Sequence, residues 1–245
     1  ASSPGIRRFG DDAHAGAVPR RAGFVTLLYV HRLSIVDEAG QKLIDQLSLH
    51  LEAGQTLGIA GAAGAGKALL GNALCGTLPA GLSISAGRIL VGNRDLAREP
   101  MLNDGVVAFG LHGKPLTAAL VAIYAEGETP PQRLPPDTAA IAFAREPRAL
   151  PESVDEIAVL CGGRLVERAP ANRIATMARH PYTVAMLEQE PAAPCEPATA
   201  LSGCPWRLAC PHADGACDTA DMSLQMVSVD HATTCLHWRR LWSFS

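Results

Sequence analysis

The pattern of apolar and polar positions predicts a chain built mainly from short β-strands. Apolar runs bounded by turn residues, some with partial alternation, occupy residues 24–35, 43–51, 56–59, 88–91, 106–109, 139–144, 157–160 and 164–167. The first two form a predicted hairpin across a turn at residues 37–40. Helix is predicted over residues 69–78, which end near Pro79, over residues 116–124, and in a short segment at 184–190. This mixture of strands and helices favours an α/β fold.

Changes in composition divide the chain into three parts. Residues 1–23 contain arginines but no apolar run to follow them, so we expect a flexible N-terminal extension and no secretory signal. Residues 24–190 form the predicted core. Within it, residues 110–138 include a proline-rich link that cannot be helix interior. After residue 190 the composition shifts to proline, cysteine and alanine, which predicts a small Cys-rich C-terminal extension over residues 191–245.

Composition and charge restrict the classes of partner. Of the 245 residues, 48% are hydrophobic and 18% are charged, which is ordinary for a protein with a packed core. The net charge is −3 and basic residues are scattered, so we expect no nucleic-acid partner. The longest candidate for a membrane span, residues 105–127, is interrupted by His112, Lys114 and Pro115, so none is expected.

A glycine-rich segment is the strongest functional signal. Gly61 and Gly66 bracket four small residues and Lys67 follows, so the pattern G-x-x-x-x-G-K is complete up to its last position. Such a loop points backbone N–H groups and a helix N-terminus at phosphate. The predicted cofactor-binding residues, here called the phosphate loop, are Gly61, Ala62, Ala63, Gly64, Ala65, Gly66, Lys67 and Ala68. Ala68 lacks the hydroxyl that would hold Mg²⁺. The alternative is a strand-to-helix turn that binds nothing.

The order of these segments resembles the ATP-binding subunits of ABC transporters, and within them the oligopeptide, dipeptide and nickel importer group. Residues 27–96 are similar in order and spacing around the phosphate loop, and residues 157–167 resemble the family's late strand pair. The sequence Arg-His-Pro-Tyr-Thr at residues 179–183 resembles a tag of the peptide-importer group. The resemblance implies an α/β P-loop NTPase core of the ABC ATPase type, with a shortened helical region and the Cys-rich extension.

The same resemblance implies ligands and partners. The expected ligand is ATP or ADP, bound weakly. The expected partners are a second ABC ATPase subunit and membrane permease subunits. The chain would then lie in the cytoplasm, peripheral on the inner face of the cell membrane.

Several departures from the family pattern indicate lost catalysis. Gly110 replaces a glutamine that senses Mg²⁺ and the membrane partner, and the residues after it are too few for the helical subdomain with its L-S-G-G-Q signature. We find no apolar strand ending in Asp-Glu. Residues 143–155 can be aligned with the family pattern in two ways. In the alignment without gaps, Arg145 replaces the family's histidine that contacts the γ-phosphate. In the alignment with a gap, Arg145 replaces the family's metal-binding aspartate, and Glu146 matches its glutamate. The gapless alignment is preferred, and either predicts a pseudo-ATPase.

Four cysteines of the C-terminal extension form a second candidate site. Cys204, Cys210, Cys217 and Cys235 could close a tetrahedral zinc site or hold a [4Fe–4S] cluster. The resemblance to the peptide-importer group implies the cluster. The alternative is a set of reduced surface cysteines left from an ancestral site.

The remaining cysteines are predicted to be structural. Cys75 and Cys161 are isolated in apolar surroundings and are expected to be buried thiols, while Cys195 is expected to be a bystander. An odd count of seven cysteines beside a phosphate loop indicates a reducing compartment.

Three functions follow as hypotheses. The first is a degenerate ATP-binding subunit of a peptide-type ABC importer. The second is a non-transport scaffold or regulatory subunit, kept for its packing surface or its metal centre. The third is a different P-loop enzyme such as a kinase, which Ala68 and the missing metal-binding acid disfavour.

Overall fold

In a computed structural model, the chain is described over residues 26–92, 94–96, 107–109, 121–188, 195–197 and 202–242. The predicted N-terminal extension, Gly110 and residues 116–120 of the predicted helix lie outside these residues. The strands are β1 (Thr26–Val36), β2 (Lys42–Glu52), β3 (Thr56–Ala60), β4 (Ser83–Val91), β5 (Arg94–Asp95), β6 (Val107–Phe109), β7 (Val121–Tyr124), β8 (Ala139–Ala144), β9 (Glu156–Cys161), β10 (Arg164–Pro170), β11 (Gln225–Ser228) and β12 (His231–Thr233). The α-helices are α1 (Lys67–Leu74), α2 (Ala171–Met177), α3 (Pro181–Leu187) and α4 (Trp238–Leu241).

The smaller of two sheets is antiparallel and has the strand order β2-β1-β4-β5. Its first pair is the predicted hairpin, in which Val30 lies opposite Leu49. On the other side of β1, Val30 lies opposite Ile89 of β4. These three side chains are buried in one apolar cluster with α1 and one face of the larger sheet, so the hairpin is held by apolar burial as well as by its ladder.

Among the described residues, the larger sheet contains eight strands in the order β11-β12-β10-β9-β3-β8-β7-β6. Strands β9, β3, β8, β7 and β6 run parallel to one another, and β10, β12 and β11 continue the sheet in antiparallel pairs. Strands β11 and β12 come from the predicted C-terminal extension, so part of that extension completes the core sheet. In a parallel sheet the carboxyl ends of all strands lie at one edge, and that edge is where ligands bind.

Both faces of the parallel strands β3, β7, β8 and β9 are buried, because alternate residues enter two different apolar clusters. In β3, Ile59 faces the cluster shared with the hairpin and α1, whereas Ala60 faces a second cluster. The second cluster contains Tyr182 of α3 and Trp206, whose ring centroids are 5.7 Å apart. This two-sided cover is typical of α/β proteins.

Helix α1 begins at Lys67 and ends at Leu74, earlier than the residue 78 that the sequence predicted. It ends early because Gly76 adopts φ +66°. The N–H of Gly76 then donates to the carbonyl of Ala73, and the N–H of Thr77 donates to the carbonyl of Asn72. This pair of bonds satisfies the last carbonyls and stops the helix.

The prediction of helix over residues 116–124 is wrong where the structure describes it, because Val121–Tyr124 is strand β7. All four side chains are buried, and the strand pairs with β6 and β8. A strand covered on both faces shows no alternation, so its apolar run cannot be distinguished from buried helix by periodicity. The β-branched and aromatic residues Val121, Ile123 and Tyr124 favour the strand.

Cys161 is buried as predicted, but the prediction that it is isolated is wrong. Cys161, at the end of β9, forms a disulfide with Cys195, and their Cα atoms are 5.4 Å apart. Cys195 is therefore not a bystander. Cys75, by contrast, is a buried thiol as predicted.

Candidate functional site

The phosphate loop connects β3 to α1 at the carboxyl edge of the larger sheet. Gly64 and Gly66 have φ angles of +80° and +105°, which side-chain-bearing residues rarely adopt. A Cβ atom on Gly66 would lie 3.3 Å from the Cα of Gly163 in the β9–β10 turn. The N–H of Gly163 in turn donates to the carbonyl of Ala65. The loop is therefore fixed by glycine conformations and by a neighbouring turn.

The ammonium group of Lys67 lies over the loop. Its Nζ atom donates to the carbonyl of Gly61 and, at 3.2 Å, to the carbonyl of Ala62. It also forms an ion pair with Oε1 of Glu126 at 3.1 Å. Lys67 is 8% exposed, and its ammonium group is held by three oxygen atoms beside the loop.

An open cavity of about 520 Å³ lies beside the loop, a volume within the range of small-ligand sites. Its lining residues are Ala63, Gly64, Ala65, Gly66, Lys67, Ala68, Leu69, Asn72, Ala125, Glu126, Phe143 and Arg145. Residues 63–68 of the predicted site line this cavity. The carbonyls of Gly61 and Ala62 instead accept hydrogen bonds from the Lys67 ammonium group. Whether a nucleotide occupies this cavity stays a prediction.

Glu126 was missed in the sequence. The apolar strand β7 leads into Ala125 and Glu126. The strand is therefore followed by one acid, although not by the Asp-Glu pair for which the sequence was searched. The apolar run of residues 121–125 followed directly by an acid was the signal that could have found it.

Two cations face the carboxylate of Glu126. Besides Lys67, the Nε atom of Arg145 lies 3.3 Å from Oε2. Partial burial acts to raise the pKa of Glu126, but hydrogen bonds and charge from Lys67 and then Arg145 outweigh it, so the pKa is lowered. Glu126 is therefore ionised at neutral pH.

The position of Arg145 distinguishes the two alignments considered for it. Arg145 follows β8, which lies between β3 and β7. The acid at the carboxyl end of the next strand is Glu126, and Glu146 is not among the residues that line the cavity. The gapped alignment, in which Glu146 supplies the carboxylate, is therefore disfavoured by the strand order.

The four predicted metal-ligating cysteines lie together in a second, much smaller pocket, here called the cysteine pocket. Its lining residues are His180, Pro181, Cys204, Arg207, Cys210, His212, Cys217, Ala220, Thr234, Cys235, Leu236 and His237. All four cysteines are thiols without a disulfide. Burial raises the pKa of Cys204 to about 11 and that of Cys235 to about 12, so only a cation in the pocket would favour their thiolates.

Donor atoms of Asp214, Cys217 and His237 lie within 4.8 Å of one another at one side of this pocket. The Nε2 atom of His237 is 3.0 Å from Oδ1 of Asp214. A hydrogen bond from His237 lowers the pKa of the Asp214 carboxyl. Within the described part of the chain, no three of the four cysteine sulfur atoms lie that close together.

A buried polar group contacts the backbone of His180, which lines the cysteine pocket. Glu167 is fully buried, accepts from the N–H groups of Arg179 and His180, and lies 2.7 Å from Nε2 of His231. Burial lowers the pKa of His180 to about 4, although the charge of Glu167 acts in the opposite direction. The His180 ring is therefore neutral. The hydroxyl of the buried Tyr182 accepts from the N–H of Ala62 at 3.0 Å.

The glycine-rich loop between a parallel strand and a helix, in this strand order, defines an α/β P-loop NTPase fold. Residues 44–118 match the family model described as ABC transporter. Two curated relatives, each named nickel import ATP-binding protein NikD, come from Brucella abortus biovar 1 (strain 9-941) and Brucella suis biovar 1 (strain 1330). Each is 36% identical over 58 residues, which cover 24% of this chain. The match spans only 22% of each relative's length.

Solved structures support the same fold. The ADP conformation of MJ1267, an ATP-binding cassette of an ABC transporter, matches with a TM-score of 0.50 and 12% identity over 67% of this chain and 99% of that one. A bacterial Atm1-family ABC exporter with ATP bound matches with a TM-score of 0.52 and 14% identity over 77% of this chain and 45% of that one. At these identities the similarity concerns the fold.

Proposed function

We propose that the chain is the ATP-binding subunit of an ABC transporter, of the oligopeptide, dipeptide and nickel importer group. The family match includes the phosphate loop and α1, and the curated relatives are nickel import ATP-binding proteins. The Arg-His-Pro-Tyr-Thr segment at residues 179–183 adds support for the importer group. ATP or ADP would bind with its phosphates over the loop N–H groups and Lys67.

We further propose that this subunit binds nucleotide without efficient hydrolysis. In P-loop NTPases the loop Ser or Thr and an aspartate at a strand end hold Mg²⁺. Here both positions are alanine, Ala68 at the start of α1 and Ala125 after β7, and this observation carries the proposal. Glu126 could still orient a water molecule, but it is paired with Lys67 and Arg145. Its charge is therefore partly neutralised.

A calorimetric titration of the full chain with ATP, with and without Mg²⁺, tests both parts. We expect binding that Mg²⁺ does not strengthen, loss of binding in Lys67→Ala, and unchanged binding in the control Lys42→Ala, whose exposed lysine lies on β2. Steady hydrolysis at an ordinary enzymatic rate would overturn the pseudo-ATPase proposal. Equal binding by Lys67→Ala would overturn the nucleotide site.

For the cysteine pocket we propose a [4Fe–4S] cluster held by Cys204, Cys210, Cys217 and Cys235. Four thiolates around one zinc ion at about 2.3 Å would lie about 4 Å apart. No three of these sulfur atoms lie within 4.8 Å of one another among the described residues, so the spacing favours the larger group. When bound, such a cluster supplies one-electron chemistry.

Iron, sulfide and zinc analysis of anaerobically purified protein tests this assignment, together with its visible absorption. We expect about four irons per chain, lost in Cys235→Ala and kept in Cys75→Ala, which removes a buried thiol outside the pocket. Stoichiometric zinc without iron would overturn the cluster proposal and support a zinc site. Absence of both would leave reduced cysteines only.

We propose a second ABC ATPase subunit and membrane permease subunits as partners, with the chain peripheral on the cytoplasmic face of the membrane. Over the described residues, no helix has the length and apolar character required to span a bilayer. Recovery with permease subunits from gently solubilised membranes supports this assembly. Recovery only with non-transport proteins would overturn it.

A further inference from the structure

Three hydrogen bonds connect the cysteine pocket to the phosphate loop through the Arg-His-Pro-Tyr-Thr segment. The Sγ atom of Cys204 lies 3.8 Å from Nε2 of His180. The Nδ1 atom of the same ring accepts from the N–H of Tyr182 at 3.2 Å. The Tyr182 hydroxyl accepts from the N–H of Ala62 at 3.0 Å. The path is continuous from one site to the other.

The direction of these bonds follows from their chemistry. A backbone N–H can only donate, so Nδ1 of His180 carries no proton and the neutral ring has its proton on Nε2. Nε2 therefore donates to the sulfur of Cys204. A metal that fixes the Cys204 sulfur therefore also fixes the position of the His180 ring through this contact.

Of the residues that link the two sites, Tyr182 packs in the second apolar cluster, and His180 is buried where it lines the cysteine pocket. His180 is 1% exposed and Tyr182 is fully buried. Glu167 accepts from the N–H of His180, which fixes the backbone entering α3. Close packing of this kind transmits displacement rather than absorbing it.

We propose that His180 and Tyr182 are positioning residues that couple the two sites, so that coordination of Cys204 orders Ala62 and strengthens phosphate binding by the loop. The ligands that would act through this coupling are the metal and the nucleotide, so this part of the inference rests on the proposed function. The coupling itself depends only on residues of this chain. By linkage, phosphate bound at the loop must in turn order Cys204.

Hydrogen–deuterium exchange on the full chain without nucleotide or metal tests the coupling alone. In Cys204→Ala we expect the Ala62 amide to exchange at least about fivefold faster than in the parent chain. The matched control is Cys210→Ala, from the same pocket, whose sulfur accepts from the N–H groups of His212 and Ala213. We expect no change at Ala62 in this control. An unchanged Ala62 in Cys204→Ala, or an equal rise in Cys210→Ala, would overturn the proposal.

A second experiment measures the reverse direction. Inorganic pyrophosphate should slow iodoacetamide alkylation of Cys204 by about fivefold. Mass spectrometry of the peptide that contains Cys204 measures the rate of alkylation. Tyr182→Phe keeps the ring but removes the oxygen that holds Ala62, so the slowing should disappear. Tyr29→Phe, a buried tyrosine on β1, should retain it. Thermal melting confirms that both variants are folded.

The outcomes separate the coupling from the proposed function. If pyrophosphate fails to bind the parent chain, the nucleotide-site proposal is wrong, and the exchange experiment still decides the coupling. If pyrophosphate binds and Tyr182→Phe still shows the slowing, the coupling does not pass through Tyr182 and the inference is wrong.

Discussion

The Nζ atom of Lys67 and the Oε1 atom of Glu126 lie 3.1 Å apart, so the cation of the phosphate loop is paired with the carboxylate that follows β7. An incoming phosphate must compete with this carboxylate for the same ammonium group. Glu126 is 42% exposed, so solvent screens the pair and its contribution is about 1 kcal/mol or less.

Glu126→Gln should therefore tighten ATP binding. The amide keeps the shape of the side chain but removes the charge that holds Lys67 and repels phosphate oxygens. We expect a decrease in Kd of about fivefold, measured by calorimetry without Mg²⁺. The control is Glu152→Gln, an exposed acid on the β8–β9 connection, which should bind like the parent. Weaker binding by Glu126→Gln would show that the carboxylate supports the ligand.

Adding a metal-binding group at each of Ala68 and Ala125 should introduce a dependence on Mg²⁺. Ala68→Ser and Ala125→Asp, combined in one chain, supply the hydroxyl and the carboxylate that hold the ion in P-loop NTPases. We expect Mg²⁺ to tighten ATP binding by at least about tenfold in this double variant and not in the parent.

The matched control for this experiment is Ala63→Ser, which adds a hydroxyl to the same loop away from the start of α1. Its binding should remain indifferent to Mg²⁺. A double variant that also remains indifferent would mean that Ala125 does not stand at the metal position.

Local signals made part of the fold predictable. The hairpin of β1 and β2 follows from partial alternation around a turn, and the P-loop NTPase fold follows from two glycines and a lysine at fixed spacing. Both are read from one continuous segment of the chain. No knowledge of distant contacts is needed for them.

The features that were missed depend on distant contacts. Strand β7 is covered on both faces, so its sequence carries no alternation, and Glu126 was not recognised as the acid that follows it. The Cys161–Cys195 disulfide joins residues 34 positions apart, and their proximity is set by where β9 ends. The pairing of Glu126 with Lys67 likewise requires the strand order of the sheet.

Gly66→Ala should impair both stability and binding. The residue has φ +105°, and a Cβ atom there would lie 3.3 Å from the Cα of Gly163. We expect a loss of about 1–3 kcal/mol in the free energy of unfolding, measured by urea denaturation, and loss of ATP binding. The control is Gly215→Ala, where a Cβ would meet nothing within 4 Å. An unchanged stability in Gly66→Ala would mean that the loop relaxes without strain.

Asp45→Asn should destabilise the contact between the hairpin and β10. The Oδ2 atom of Asp45 accepts from Arg164 at 2.8 Å, and both side chains are largely buried. Replacing the carboxylate removes the ion pair between Asp45 and the buried Arg164 charge, and we expect a loss of about 2 kcal/mol in urea denaturation at pH 7. Asp37→Asn, a turn residue of the same hairpin, should cost less.

The same ion pair predicts a specific dependence of the free energy of unfolding on pH. Burial acts to raise the pKa of Asp45, but hydrogen bonds from Lys42 and Arg164 and their charges outweigh it, so the folded-state pKa is lowered. The unfolded chain therefore takes up the proton first as pH falls, and the stabilisation is complete above the ordinary carboxyl pKa of about 4. It is lost as pH falls through the lowered folded-state value. The stability difference between the parent and Asp45→Asn should accordingly be constant from pH 7 to about pH 5 and shrink below about pH 4. A difference that grew on acidification would contradict the ion pair as its cause.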